Sequence, residues 1–188
     1  GTARVTVTGI GNYTGSVTQD FQIRNAELSG GVSVEGFSGI YDGNSHGIRV
    51  SVSKPSQGVT VKYGTSPGNY SLADSPMYEN AGTYTVYYQV SADNYHTLTG
   101  SQTVRINAKH IGNCSFEAME DRIYDGKAHT PDPVVSDGEK KLVKGTDFTV
   151  SYSSNINAGT ASVTVTGKGN YTGTKMNTFT IQPLTLQS

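Results

Sequence analysis

The chain has 188 residues, of which 34% are hydrophobic and 15% charged, with a formal net charge of -1. That near-neutral balance offers no broad basic field for nucleic acid or anionic lipid. Low hydrophobicity without net charge, together with 12 Tyr and 5 Phe, argues against disorder and for small cores with many turns. Cys114 is the single cysteine, so no intrachain disulfide forms, and no apolar run is long enough to insert in a membrane. Any export signal or anchor is expected outside these residues.

Residues 1–26 begin with Ala3, Val5 and Val7 alternating with polar residues, the period-two pattern of a half-buried strand. A Gly-Asn turn follows, and a second strand closes at Phe21 and Ile23. Further along, apolar rows recur at Val59, Val61 and Tyr63, at Tyr84, Val86, Tyr88 and Val90, and at Val104 and Ile106. The last third repeats the series with Phe148, Val150 and Tyr152, then Ala161, Val163 and Val165, then Phe179 and Ile181. Asp-Gly, Gly-Asn and Pro-Gly turn signals separate the rows, and no segment keeps a helical period over ten or more residues.

These rows belong to internal repeats. Residues 1–23, GTARVTVTGIGNYTGSVTQDFQI, match residues 159–181, GTASVTVTGKGNYTGTKMNTFTI, without a gap. A looser copy spans 81–106 with one extra residue before Tyr95, and the block at 40–46 recurs at 123–129. The phase follows. Residues 1–26 read as the C-terminal strands of a preceding repeat, 27–108 and 109–183 as two complete repeats, and 184–188 as the start of another or a tail. The seams at 24–26, 107–108 and 182–183 are very short, which predicts a semi-rigid array without flexible tethers. Several short antiparallel strands in about 80 residues predict an all-β fold of tandem immunoglobulin-like β-sandwich repeats. A β-grasp-like module is the alternative, disfavoured because no helix is predicted for it.

Tyr41-Asp42-Gly43 and Tyr124-Asp125-Gly126, Asn-Ala-Gly-Thr at 80–83 and 157–160, and Gly-x-Gly-Asn-Tyr-Thr-Gly at 9–15 and 167–173 carry a resemblance. The chain resembles the tandem YDG and MBG-type Ig-like repeats of bacterial cell-surface, adhesin-like proteins, over essentially its whole length. The resemblance implies an extracellular multi-repeat stalk or adhesin on a bacterial cell surface, with no catalytic residue, cofactor or metal. The central repeat departs from the pattern, having Ser91-Ala92-Asp93-Asn94-Tyr95 in place of the Gly-x-Gly-Asn-Tyr box.

Asp42 with His46, and Asp125 with His129, pair a carboxylate with an imidazole at one spacing, a combination that can bind metal or share a proton. Two ligands fall short of a zinc site, and Asp-Gly is a turn signal, so the boxes are expected to be structural turns. Tyr13, Tyr95 and Tyr171 recur in every repeat. A sugar-stacking platform is one reading, but a structural tyrosine tying down a loop is expected instead. Tyr70, Tyr78 and Tyr87, specific to the central repeat, are the candidate ligand-contact residues. Cys114 lacks a local basic partner and is expected as a reduced, partly buried thiol. Spacing alone identifies no Lys–Asn cross-link and no calcium series. Two functions stand: a non-enzymatic spacer whose partners are neighbouring repeats, or an adhesion module binding host glycan or protein. Ala3, Val5, Val7, Phe21 and Ile23 are expected to pack on upstream residues or on another chain, a route to strand-swapped self-association through residues 1–26.

Overall fold

The computed structural model describes residues 1–186; the last two residues of the segment 184–188 lie outside the described residues. The chain is all-β. Among the described residues there is no α-helix, only three-residue 3-10 turns at Ser29–Gly31 and Ile111–Asn113. The strands are β1 (Thr2–Thr8), β2 (Ser16–Gln22), β3 (Val32–Glu35), β4 (Phe37–Ile40), β5 (Arg49–Val52), β6 (Val59–Gly64), β7 (Gly82–Ala92) and β8 (Leu98–Asn107). They continue with β9 (Lys109–His110), β10 (Ser115–Phe116), β11 (Arg122–Ile123), β12 (Val135–Asp137), β13 (Lys140–Lys141), β14 (Phe148–Ser153), β15 (Gly159–Gly167), β16 (Tyr171–Thr172) and β17 (Thr174–Gln182).

Each complete repeat has two sheets, the arrangement of a β-sandwich. In the first, β3 pairs with β5, and a second sheet runs β4-β8-β7-β6. In the second, β10-β12-β13 form one sheet and β11-β17-β15-β14 the other. The four-stranded sheets correspond strand for strand. In both, the first strand lies parallel to the last, with Phe37 opposite Val104 and Arg122 opposite Ile181. In both, the remaining pairing is antiparallel where its register is defined, with Val61 opposite Val90 and Val150 opposite Val165. The apolar rows read from the sequence fill the interiors: Val86, Val90, Val104 and Ile106 are buried in the first repeat, and Phe148, Ala161, Val163, Val165, Phe179 and Ile181 in the second. Met119 and Tyr152 pack against the cluster of Ala161, Phe179 and Ile181.

The described chain falls into two compact units, and the division runs through the first repeat. One unit holds Gly1–Gly36, Ile48–Pro76 and Thr85–Gln102; the other holds Phe37–Gly47, Met77–Tyr84 and everything from Thr103 onward. The seam at residues 107–108 therefore lies inside the second unit.

Residues 1–26 form an antiparallel hairpin, β1 with β2, from Thr2 opposite Gln22 to Thr8 opposite Ser16. Cross-strand pairs hold it: Arg4 Nε donates to Asp20 Oδ1 at 2.7 Å, and the Thr6 and Thr18 hydroxyls lie 3.1 Å apart. Its sequence match to 159–181 does not extend to burial. Val163 is 0% exposed while its equivalent Val5 is 49% exposed, because β15 has a sheet on one face to pack against. Val7, Phe21 and Ile23 are exposed as well. Val163→Ala should therefore cost about 1–3 kcal/mol in urea or thermal unfolding. Val5→Ala, the same substitution in nearly the same sequence, should change stability by less than about 0.5 kcal/mol.

Candidate functional site

The Tyr-Asp-Gly boxes have one backbone. At the end of β4, the Tyr41 N–H donates to the Asn107 carbonyl at 2.8 Å, and at the end of β11 the Tyr124 N–H donates to the Gln182 carbonyl at 2.9 Å. Asp42 Oδ1 accepts from the Asn44 N–H, and Asp125 Oδ1 from the Lys127 N–H, each at 2.9 Å. Gly43 and Gly126 both take φ +78°, which a side chain would resist. His46 Nε2 lies 3.0 Å from Asp42 Oδ1 and its ring stacks on Phe37 at 3.5 Å. His129 Nε2 lies 3.3 Å from Asp125 Oδ1 and is otherwise without a hydrogen-bond partner. His46, with the Asn44 N–H, holds the Asp42 carboxyl well below the usual carboxylate range. Each box thus assembles one carboxylate and one imidazole, and no group of three or more His, Cys, Asp or Glu gathers among the described residues.

The Asn-Tyr boxes are tight hairpin ends. In residues 167–173, Gly167 N–H donates to the Gly173 carbonyl at 2.9 Å and Tyr171 N–H to the Lys168 carbonyl at 3.2 Å. Residues 9–15 repeat both bonds at the same lengths, through Gly9 with Gly15 and Tyr13 with Ile10. Left-handed backbone sits at Gly169 (φ +65°) and Gly11 (φ +68°). The central repeat has Asp93 at that position, and its left-handed residue is Asn94 (φ +64°), one place later. Asparagine tolerates that conformation better than aspartate's other neighbours, and the Tyr95 N–H still reaches the Ala92 carbonyl at 3.2 Å.

One hairpin end meets one box. The Tyr171 ring packs edge-on against Tyr41, with centroids 5.6 Å apart and an interplanar angle of 73°. The Tyr171 hydroxyl donates to Asp137 Oδ2 at 3.2 Å, and Asp137 Oδ1 accepts from Lys109 Nζ at 2.6 Å. Burial, then the Asp137 carboxylate, push the Tyr171 phenol well above its ordinary value. Lys140 Nζ donates to the Tyr41 hydroxyl at 2.9 Å and stands 5.2 Å from the Tyr41 ring centroid. Its bond to Tyr41 raises the lysine's own value. Asn170 closes the junction with three bonds. Its Oδ1 accepts from the Ala81 N–H at 2.7 Å, its Nδ2 donates to Asn80 Oδ1 at 2.9 Å, and its carbonyl accepts from the Lys109 N–H at 2.9 Å. There β9 runs parallel to β16, Lys109 opposite Tyr171.

Tyr41 and Tyr171 are brought together; the other box tyrosines are not. Tyr41 is 3% exposed, Tyr124 is 37% exposed and Tyr13 is 79% exposed, while Tyr95 is half-buried. Tyr13 thus departs from the structural tyrosine expected of it, since no core lies beneath its hairpin to receive the ring. Tyr70, Tyr78 and Tyr87 are each half-buried. Tyr78 stacks on Tyr84 at 4.0 Å, Tyr84 donates to the Asn80 carbonyl at 3.0 Å, and Tyr87 lies opposite Gly64 in the sheet. Cys114 is buried, and burial pushes its thiol up. Lys109 and Lys144 are paired with Asp137 and Asp132, each at 2.6 Å.

Asn170, Asn80 and Ala81 escaped sequence reasoning as contact residues, although the recurrence of Asn12, Asn94 and Asn170 beside each tyrosine was a usable signal. Lys140 and Asp137 had none, since neither lies in a repeated block.

No family model and no curated protein matches the chain. Among solved structures it is similar to PcdhgB3 EC1-4 and to protocadherin gamma B2 extracellular cadherin domains 1-5, each at 11% identity and a TM-score of 0.30. Either match covers 98% of this chain, which spans 57% of the first and 45% of the second. Likeness at that level bears on neither partner nor activity.

Asn170→Ala leaves the Ala81 N–H unpaired and should cost about 1–3 kcal/mol in urea unfolding, whereas Asn12→Ala should be near neutral. For Asp42, a folded value below the ordinary carboxylate value means that its charge stabilises the fold above about pH 4, and that this contribution is lost as pH falls through the folded value. An NMR titration should place the Asp42 carboxyl midpoint below that of a free aspartate, and His46→Ala should move it back up.

Proposed function

We propose that this chain is a non-enzymatic structural spacer: repeats of a stalk on a bacterial cell-surface protein, held outside the cell, with neighbouring repeats of the same protein as partners. The observation that carries the reading is the use made of the most repeated residues. Tyr41, Asn170 and Tyr171 join one repeat to the next, and Asp42 spends its carboxylate on its own turn. Repeat proteins draw stability from each unit and its interface with the neighbour, so residues copied for that purpose need no ligand. The resemblance to YDG and MBG-type repeats supports the extracellular bacterial setting. The described residues contain no helix long and apolar enough to cross a membrane.

A glycan array and a mucin-binding assay on the whole chain test the reading. No binding above background is expected. A hit that falls at least tenfold in a Tyr70→Ser, Tyr78→Ser, Tyr87→Ser triple variant of unchanged melting behaviour would replace the spacer with an adhesion module.

A further inference from the structure

The two Tyr-Asp-Gly boxes share a backbone but differ in cover. Tyr41 is closed over by the hairpin end at 167–173, whereas Tyr124 lies open. Tyr124, Asn157, Ala158, Pro183, Leu184 and Leu186 line one concave surface. Its parts are copies of an occupied junction. Asn157 and Ala158 stand in the repeat where Asn80 and Ala81 stand, and those two hold the side chain of Asn170. Leu184 follows Ile181 at the spacing by which Lys109 follows Ile106, and Lys109 runs beside Tyr171. Leu186 is the third copy of a position filled by Leu28 and Ile111; both of those are buried, and Leu186 is 93% exposed.

The matching half exists elsewhere in the chain. The hairpin end at 9–15 has the same two backbone bonds as the end that covers Tyr41, with Asn12 and Tyr13 at the places of Asn170 and Tyr171. Tyr13 and Ile10 project from it exposed, and Val5, Val7 and Phe21 behind it are exposed where Val163, Val165 and Phe179 are buried. Continuity with the Tyr41–Tyr171 junction therefore identifies the occupant by sequence and by geometry.

We propose that the Tyr124 surface is a docking site for the Asn12-Tyr13 hairpin end of a second copy of this chain, so that molecules associate head to tail. Tyr13 of the second copy stands against Tyr124 as Tyr171 stands against Tyr41. The Asn12 side chain accepts from the Ala158 N–H and donates to Asn157. Leu184 runs beside Tyr13, and Leu186 reaches the apolar face of the hairpin at Val5, Val7 and Phe21. The contact is heterologous, the two surfaces being different, so it propagates instead of closing as a symmetric dimer. It lacks the Lys140 bond and the Asp137 acceptor of the occupied junction, which lie outside residues 1–26. Association is accordingly weak, in the class of small transient interfaces. The proposal does not rest on the spacer reading, which a monomeric chain would leave intact.

Sedimentation velocity on the whole chain, from about 10 µM to about 1 mM, is the test for an interface of this size. The weight-average mass should rise with concentration past that of a dimer. Tyr124→Ser and Tyr13→Ser, each at an exposed position, should each leave a monomer with an unchanged melting curve. An equimolar mixture of the two variants should form dimers and stop there, since one retains the surface and the other the hairpin; this outcome also shows that both are folded. A wild-type chain that stays monomeric throughout would overturn the proposal. So would association that survives both substitutions, or a mixture that fails to pair.

Discussion

The side chain of Asn170 can make its bonds only where a hairpin end from one repeat reaches the strand-entry backbone of the repeat before it. It takes the Ala81 N–H and gives to Asn80, while its own carbonyl anchors Lys109 just past the seam. That placement brings Tyr171 over Tyr41, and the rest follows. A buried tyrosine needs a partner for its hydroxyl. Lys140 meets that need for Tyr41 and Asp137 for Tyr171, and Lys109 in turn balances the Asp137 charge. The seam at 107–108 therefore behaves as packed interior, which is why it falls inside a compact unit instead of marking a boundary.

The Asp–His pairs illustrate how a reactive-looking combination arises from turn geometry. Asp42 and Asp125 each accept from the backbone two residues on, across a glycine in left-handed conformation. A histidine four residues after the aspartate is then carried back within reach of the same oxygen. The carboxylate is a structural acceptor in this arrangement, and its depressed protonation follows from the bonds it receives. A perturbed group is a pointer to function only when structural networks do not account for it.

Exposed apolar surface concentrates where a repeated element lacks its repeated partner. Val5, Val7 and Phe21 are as apolar as Val163, Val165 and Phe179, and their strands pair in the same way. A two-stranded hairpin can satisfy its central hydrogen bonds and still leave a face with nothing to pack on. Such a face seeks a partner, and the copied junctions say what shape that partner has.

Much of the fold was legible from residues alone. Alternating Ala161, Val163 and Val165 specified a buried strand face, Asp-Gly and Gly-Asn specified turns, and the gapless match of 1–23 to 159–181 specified repeats, because all three depend on local backbone periodicity. The absence of any helical period excluded helices for the same reason. The sequence could not say that Tyr41 is covered and Tyr124 open, or that Tyr171 finds Asp137 while Tyr13 finds solvent. Nor could it place Asn170 across a seam from Ala81, 89 positions away. Identical motifs carry identical local preferences, but burial is decided by what lies on the other side, and that is a property of the assembled chain.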